Sequence, residues 1–148
     1  MAINDEMAVA TGGQSQARNG AHRGVRQAWI VFTTLLAVAV FAEACFAGAM
    51  LSGFDWAHAA HKANAAVLMV SGIVASLAAI MMLRRVPQGR RLASSLSALA
   101  VLLIIQAGLG TLSAKGANLL WLHVPLGAAL VAFAMQAALR AHRLGHEP

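Results

Sequence analysis

Two histidines, His61 and His123, stand at matched places in a chain whose long apolar stretches carry few other ionisable groups. Each follows a glycine, Gly48 and Gly110, by thirteen residues, so the two halves repeat with an offset of 62. An ionisable group in hydrocarbon is costly and usually marks a functional place. Two imidazoles brought to one level inside an apolar helical bundle are suited to axial ligation of a b-type haem. Glu43 and Gln106 are the other polar groups at that depth. They are candidates to bond a ligand's second ring nitrogen, a propionate or a bound quinone. His58 precedes His61 by three residues and shares its helix face. It is an alternative ligand, a metal partner of His61, or a boundary residue. Glu43 has two further readings, a proton acceptor in a transport path or a protonated partner of Gln106.

The elements that position these groups follow from composition. The chain has 148 residues, 59% hydrophobic and 11% charged, with mean hydropathy +0.69. A soluble domain this small has too little interior to hide that much apolar surface. Crossing a bilayer takes about 20 mostly apolar residues as helix, and lipid leaves no other way to satisfy the backbone. Four stretches qualify, at about 28–54, 63–83, 92–113 and 117–139. Short connections predict an all-α, up-down-up-down four-helix membrane bundle built from a repeated helix pair. The second and fourth helices, which carry His61 and His123, then lie on a diagonal of roughly 11–14 Å, given axes about 8–10 Å apart. Gly48 and Gly110 lie on the other diagonal, where the edge of a macrocycle has room. Rows of small residues at helical spacing, Ala44–Gly48–Ser52, Gln106–Gly110–Ser113 and His123–Gly127–Ala134, serve close helix packing or a flat ligand equally.

Residues 1–25 and 141–148 are expected as cytoplasmic tails, the first disordered. The first apolar run starts late and is too long for a signal-peptide core, so it is expected to be retained. The net charge of +6 comes from eleven basic and five acidic residues. Nine arginines (Arg18, Arg23, Arg26, Arg84, Arg85, Arg90, Arg91, Arg140, Arg143) fall on one side, with only Lys62 and Lys115 on the other. This bias predicts a multi-pass protein of a bacterial inner membrane with both termini cytoplasmic. It accounts for the charge as orientation plus anionic-lipid contact, with no nucleic-acid patch. Trp29 is expected at the inner boundary, and Trp56 and Trp121 at the outer one. The single cysteine, Cys45, excludes an internal disulfide or a multi-cysteine metal site and is expected to be buried.

The run from His61 to Arg140 resembles one half of haem A synthase. His61–Lys62 matches that family's histidine at the start of a second helix. Gln106-Ala-Gly-Leu-Gly110 matches a Gln-x-x-x-Gly segment in the third, and Leu122–His123 a Leu-His pair opening the fourth. The arginine loop matches in position. The resemblance implies ligation by His61 and His123. It departs from the family in having one four-helix unit where the enzyme has two. His58 stands where the catalytic half has a glutamate, and the outer-loop cysteine pair is absent. The segment Phe46-Ala-Gly-Ala-Met-Leu, with His58 and His61 after it, also looks like a group of small bacterial membrane proteins. The leading expectation is an electron-transfer or haem-handling protein with one haem b, working with a redox partner or as a homodimer. The alternatives are a haem-modifying enzyme and a non-haem structural or transport subunit.

Overall fold

The computed structural model describes residues 2–85 and 87–144, with side chains from Arg23 onward. Four helices follow one another: α1 (Ala2–Leu51), α2 (Asp55–Leu83), α3 (Pro87–Ala114) and α4 (Leu120–His142). All four are long and apolar enough to cross a membrane, α1 through its Arg23–Leu51 part. Each helix packs on its two sequence neighbours, and α4 closes the ring against α1; the diagonal pairs do not pack. The chain is therefore an all-α up-down-up-down bundle, as expected. Large side chains cover its outside, among them Leu35, Phe41, Val70, Leu77, Val101, Ile105 and Leu139. A continuous apolar exterior of this kind is stable only against lipid.

The helix bounds differ from the sequence expectation at most ends. α2 begins eight residues earlier than the expected 63, at Asp55, and α4 runs to His142 rather than 139. α1 extends back to Ala2 through the segment expected to be a disordered tail. The Ala, Met, Glu, Gln and Arg residues there are good helix formers, but its membrane-length apolar part starts only at Arg23. Of the expected C-terminal tail, residues 145–148 lie outside the described residues, as do Met1 and Val86.

Two turns at one end of the bundle are built alike. α1 ends where Gly53 takes φ +86°, and α3 where Gly116 takes φ +97°. In the first, Phe54 N–H donates to the Ala49 carbonyl (3.2 Å) and Gly53 N–H to that of Met50 (3.1 Å). In the second, Ala117 N–H donates to the Leu112 carbonyl (3.1 Å) and Gly116 N–H to that of Ser113 (3.0 Å). This is the Schellman closure, which needs a left-handed residue and so favours glycine. The sequence repeat is thus also a repeat of turn geometry. At the other end Gly89 lets α3 start against α2, since a Cβ there would lie 2.8 Å from Leu83 Cβ.

The packed core fills only half of the bundle's length. Trp29, Leu36 and Val40 on α1 meet Leu68, Ala75 and Ala79 on α2, Leu92, Leu96, Leu99 and Leu103 on α3, and Leu130, Ala134 and Ala141 on α4. Trp29 was expected at a membrane boundary; it is buried, with its ring edge-on to Phe32 at 6.3 Å. Cys45, expected to be buried, is instead exposed. It falls off the inward stripe that runs through Thr33, Leu36 and Val40, and so faces outward.

Candidate functional site

Beyond that core the interior changes character. Among the described residues, none past Val40 on α1 or Leu103 on α3, and none before Leu130 on α4, is fully buried. On α2 only Ala57 is buried ahead of Leu68. The inward stripes continue at helical spacing, 40–44–47–51 on α1 and 103–107–110–114 on α3. Past Val40 and Leu103 they carry mostly alanine and glycine, and every one of those further positions is half-buried or exposed. The half of the bundle next to the Gly53 and Gly116 turns is therefore under-filled, where a well-packed interior would place large side chains.

His61 and His123 face each other in this half. Their ring centres are 6.5 Å apart and their planes meet at 79°. They come from α2 and α4, which lie diagonally across the ring of helices, so the rings meet across the interior. His61 is six residues into α2, and His123 three into α4. The different starts of the two helices compensate and bring the rings to a common level.

A carboxylate and an amide back His61. Glu43 Oε1 lies 3.0 Å from His61 Nδ1, with side-chain exposures of 18% and 19%. The distance is that of an ion pair, but the ring N–H direction does not make it a hydrogen bond. Asn64 Nδ2 donates to the other Glu43 oxygen (2.7 Å) and to the Ala39 carbonyl (2.9 Å). Asn64 is three residues past His61, on the side of α2 that meets α1. Sequence reasoning passed over it. The available signal was a side-chain amide inside an apolar run, one turn from a candidate ligand.

His123 is held differently. Gln106 Nε2 donates to its backbone carbonyl (2.8 Å), not to its ring. The ring lies on Gly110, where a Cβ would stand 3.0 Å from His123 Cε1. Gly127 supports Gln106 in the same way, with a Cβ there meeting Gln106 Nε2 at 3.0 Å. His123 Nδ1, Gln106 Oε1 and Ser113 Oγ are buried with no protein partner. A buried polar atom left so costs roughly 1–3 kcal/mol, and these three belong to His123 and to the α3 residues one turn to either side of Gly110, on which its ring lies.

Among the candidate residues, His61, His123, Glu43, Gln106, Gly110 and Gly127 come together in this half of the bundle. Gly48 is exposed, and a Cβ there would meet nothing within 4 Å. His58 is exposed and touches none of the others. No group of three or more His, Cys, Asp or Glu side chains is placed to share a metal ion among the described residues. Comparison with family models, with curated proteins and with solved structures finds no match.

Proposed function

We propose that the chain holds one b-type haem between His61 and His123, in the half of the bilayer away from the arginine loop, and serves electron transfer or haem handling. The observation that carries this reading is the 6.5 Å pair of imidazoles in the unpacked half of the interior. At that separation the two rings are close enough that His61 and His123 could hold one metal ion between them. The donor set narrows the metal further. Zinc wants three or four protein ligands. Two histidines without a third ligand instead suit an iron that brings four ring nitrogens of its own. The inward rows of α1 and α3 in that half carry mainly alanine and glycine. Haem bound there supplies one-electron exchange.

The residues present divide the remaining work. Glu43, fixed by Asn64, sets the orientation of His61 and leaves Nε2 as its free nitrogen. Gly110 fixes the plane of His123 from behind. The arginine distribution orients the bundle with both termini in the cytoplasm, so the site opens to the outer face. His61 and His123 would hold one haem near that face alone, so electron exchange there would not cross the membrane. Haem modification is the weaker reading, because the exposed His58 stands in the place of the synthase glutamate.

A reduced-minus-oxidised difference spectrum of detergent-purified protein from haem-replete cells tests the reading. A sharp low-spin α band on reduction, with one haem per chain by extraction, is expected. Colourless protein with normal helix content would leave the second reading. In that case Glu43–Asn64–Ala39 and Gln106–His123 are hydrogen-bonded cross-links between membrane helices.

A further inference from the structure

An open, shallow cavity lies at the end of the bundle opposite the histidine pair, between α2 and α3. It has a volume of about 480 Å³ and is lined by Ile80, Arg84, Arg90, Ala93, Ser94 and Ser97. Arg84 caps α2 and Arg90 sits in the first turn of α3. Neither guanidinium has a hydrogen-bond or ion-pair partner among the described residues. The carboxylates described, Glu43 and Asp55, are both in the other half of the molecule. Two cations facing one space with no counter-charge among the described side chains make a place for an anion.

The hydroxyls divide into one engaged and one available. Ser97 Oγ donates to the Ala93 carbonyl (2.9 Å) and lies 2.8 Å from Ser76 Oγ, so its proton is used. Ser94 is exposed and makes no such bond, which leaves its O–H free to donate. The cavity also has an apolar continuation. Ile73, Leu77, Ile80 and Arg84 follow at four-three-four spacing on α2, and Arg90, Ser94, Ser97, Val101 and Ile104 at four-three-four-three spacing on α3. Such spacing keeps one helix face, and the apolar members of both rows are exposed. Two basic side chains therefore stand at the mouth of a lipid-facing groove between neighbouring helices.

We propose that this cavity binds the phosphate of an anionic glycerophospholipid, with Arg84 and Arg90 on the phosphate oxygens, Ser94 donating to the headgroup, and an acyl chain along Leu77, Ile80 and Val101. The apolar groove favours a lipid over a free phosphate, which would use the mouth alone. The site rests on the membrane character of the bundle and not on the haem reading.

The full chain in a non-ionic detergent, titrated with phosphatidylglycerol, phosphatidylcholine or inorganic phosphate and followed by native mass spectrometry, tests it. Phosphatidylglycerol is expected to be retained more tightly than phosphatidylcholine. At about 1 kcal/mol per basic residue, R84Q/R90Q should weaken its retention about thirtyfold. R23Q/R143Q, which removes the same charge outside the cavity, should leave retention unchanged. Helix content by circular dichroism checks the fold of both variants, and S94A with both arginines intact should weaken retention more mildly. Equal retention by R84Q/R90Q and wild type overturns the proposal, as does an equal loss in R23Q/R143Q. Inorganic phosphate binding as tightly as phosphatidylglycerol overturns the lipid assignment.

Discussion

Asn64 holds Glu43 by two bonds to one stretch of α1. Its amide donates to the carboxylate at 2.7 Å and to the Ala39 carbonyl, one turn earlier, at 2.9 Å. Glu43 is thereby clamped with its second oxygen 3.0 Å from His61 Nδ1. Removing the carboxylate and removing the clamp should therefore have related effects of different size. A carboxylate beside Nδ1 of a ligating histidine would raise the basicity of its other nitrogen and favour ferric over ferrous iron. Glu43→Gln should raise the midpoint potential of bound haem, by about 59 mV for each tenfold loss of ferric preference. Asn64→Leu should raise it less and also weaken α1–α2 association by about 0.6–1.7 kcal/mol, the range for hydrogen bonds between membrane helices. Redox titration and unfolding in detergent measure the two. A potential unmoved in Glu43→Gln would separate the carboxylate from the ligand.

Ligation by His61 and His123 predicts a sharp split among three histidines. His61→Ala and His123→Ala should each remove the low-spin reduced spectrum, because neither chain position has a substitute within reach. His58→Ala should leave it intact, since His58 is exposed and contacts neither ring. Loss of the spectrum in His58→Ala, with His61→Ala retaining it, would move the ligand by one turn and redraw the site.

The two histidines were legible in the sequence because an imidazole in an apolar span stands out against its neighbours. The diagonal that joins them followed from short loops alone. Glu43 beside the second ring nitrogen of His61 was among the expectations, but its clamp by Asn64 and the bond of Gln106 to the His123 carbonyl were not legible. Which α1 residue meets α2 depends on the rotation of each helix about its axis. That rotation is set in the core shared by Leu36, Val40, Leu68 and Leu99, which lie on three different helices and whose meeting no local pattern specifies. The repeat itself misleads at one point. Gly48 and Gly110 are equivalent by spacing, yet only Gly110 touches its histidine. Glu43 and Asn64 have no counterparts at the repeat offset, where Ile105 and Leu126 stand. His61 turns toward its carboxylate, and His123 turns toward glycine.

That asymmetry orders a series of glycine substitutions. Gly110→Ala puts a Cβ 3.0 Å from the His123 ring, which is flat and held by its own backbone. Crowding of this kind costs about 1–3 kcal/mol, and it should appear as lost haem retention. Gly127→Ala meets only the end of the Gln106 side chain. It should shift that amide at smaller cost. Gly48→Ala meets nothing and should be neutral at the site. Haem content after dialysis against apomyoglobin ranks the three, and a Gly48→Ala loss equal to that of Gly110→Ala would contradict the placement.

Nine arginines gather where α2 meets α3 and where the termini lie, and two lysines sit at the other end. Cytoplasmic loops and ends hold such an excess because basic residues resist translocation. The Gly53 and Gly116 turns, and with them the histidine pair, should then face outward. A cysteine placed at Ala117, which is exposed in the α3–α4 turn, reads this directly once Cys45 has been changed to alanine. In intact cells an impermeant maleimide should label Ala117→Cys and leave a cysteine at exposed Arg85 unlabelled until the membrane is opened. A C-terminal green fluorescent protein fusion should fluoresce, and a C-terminal alkaline phosphatase fusion should be inactive. The reverse pattern would turn the bundle over and carry the imidazole pair to the cytoplasmic leaflet, where any redox partner would have to be a cytoplasmic one.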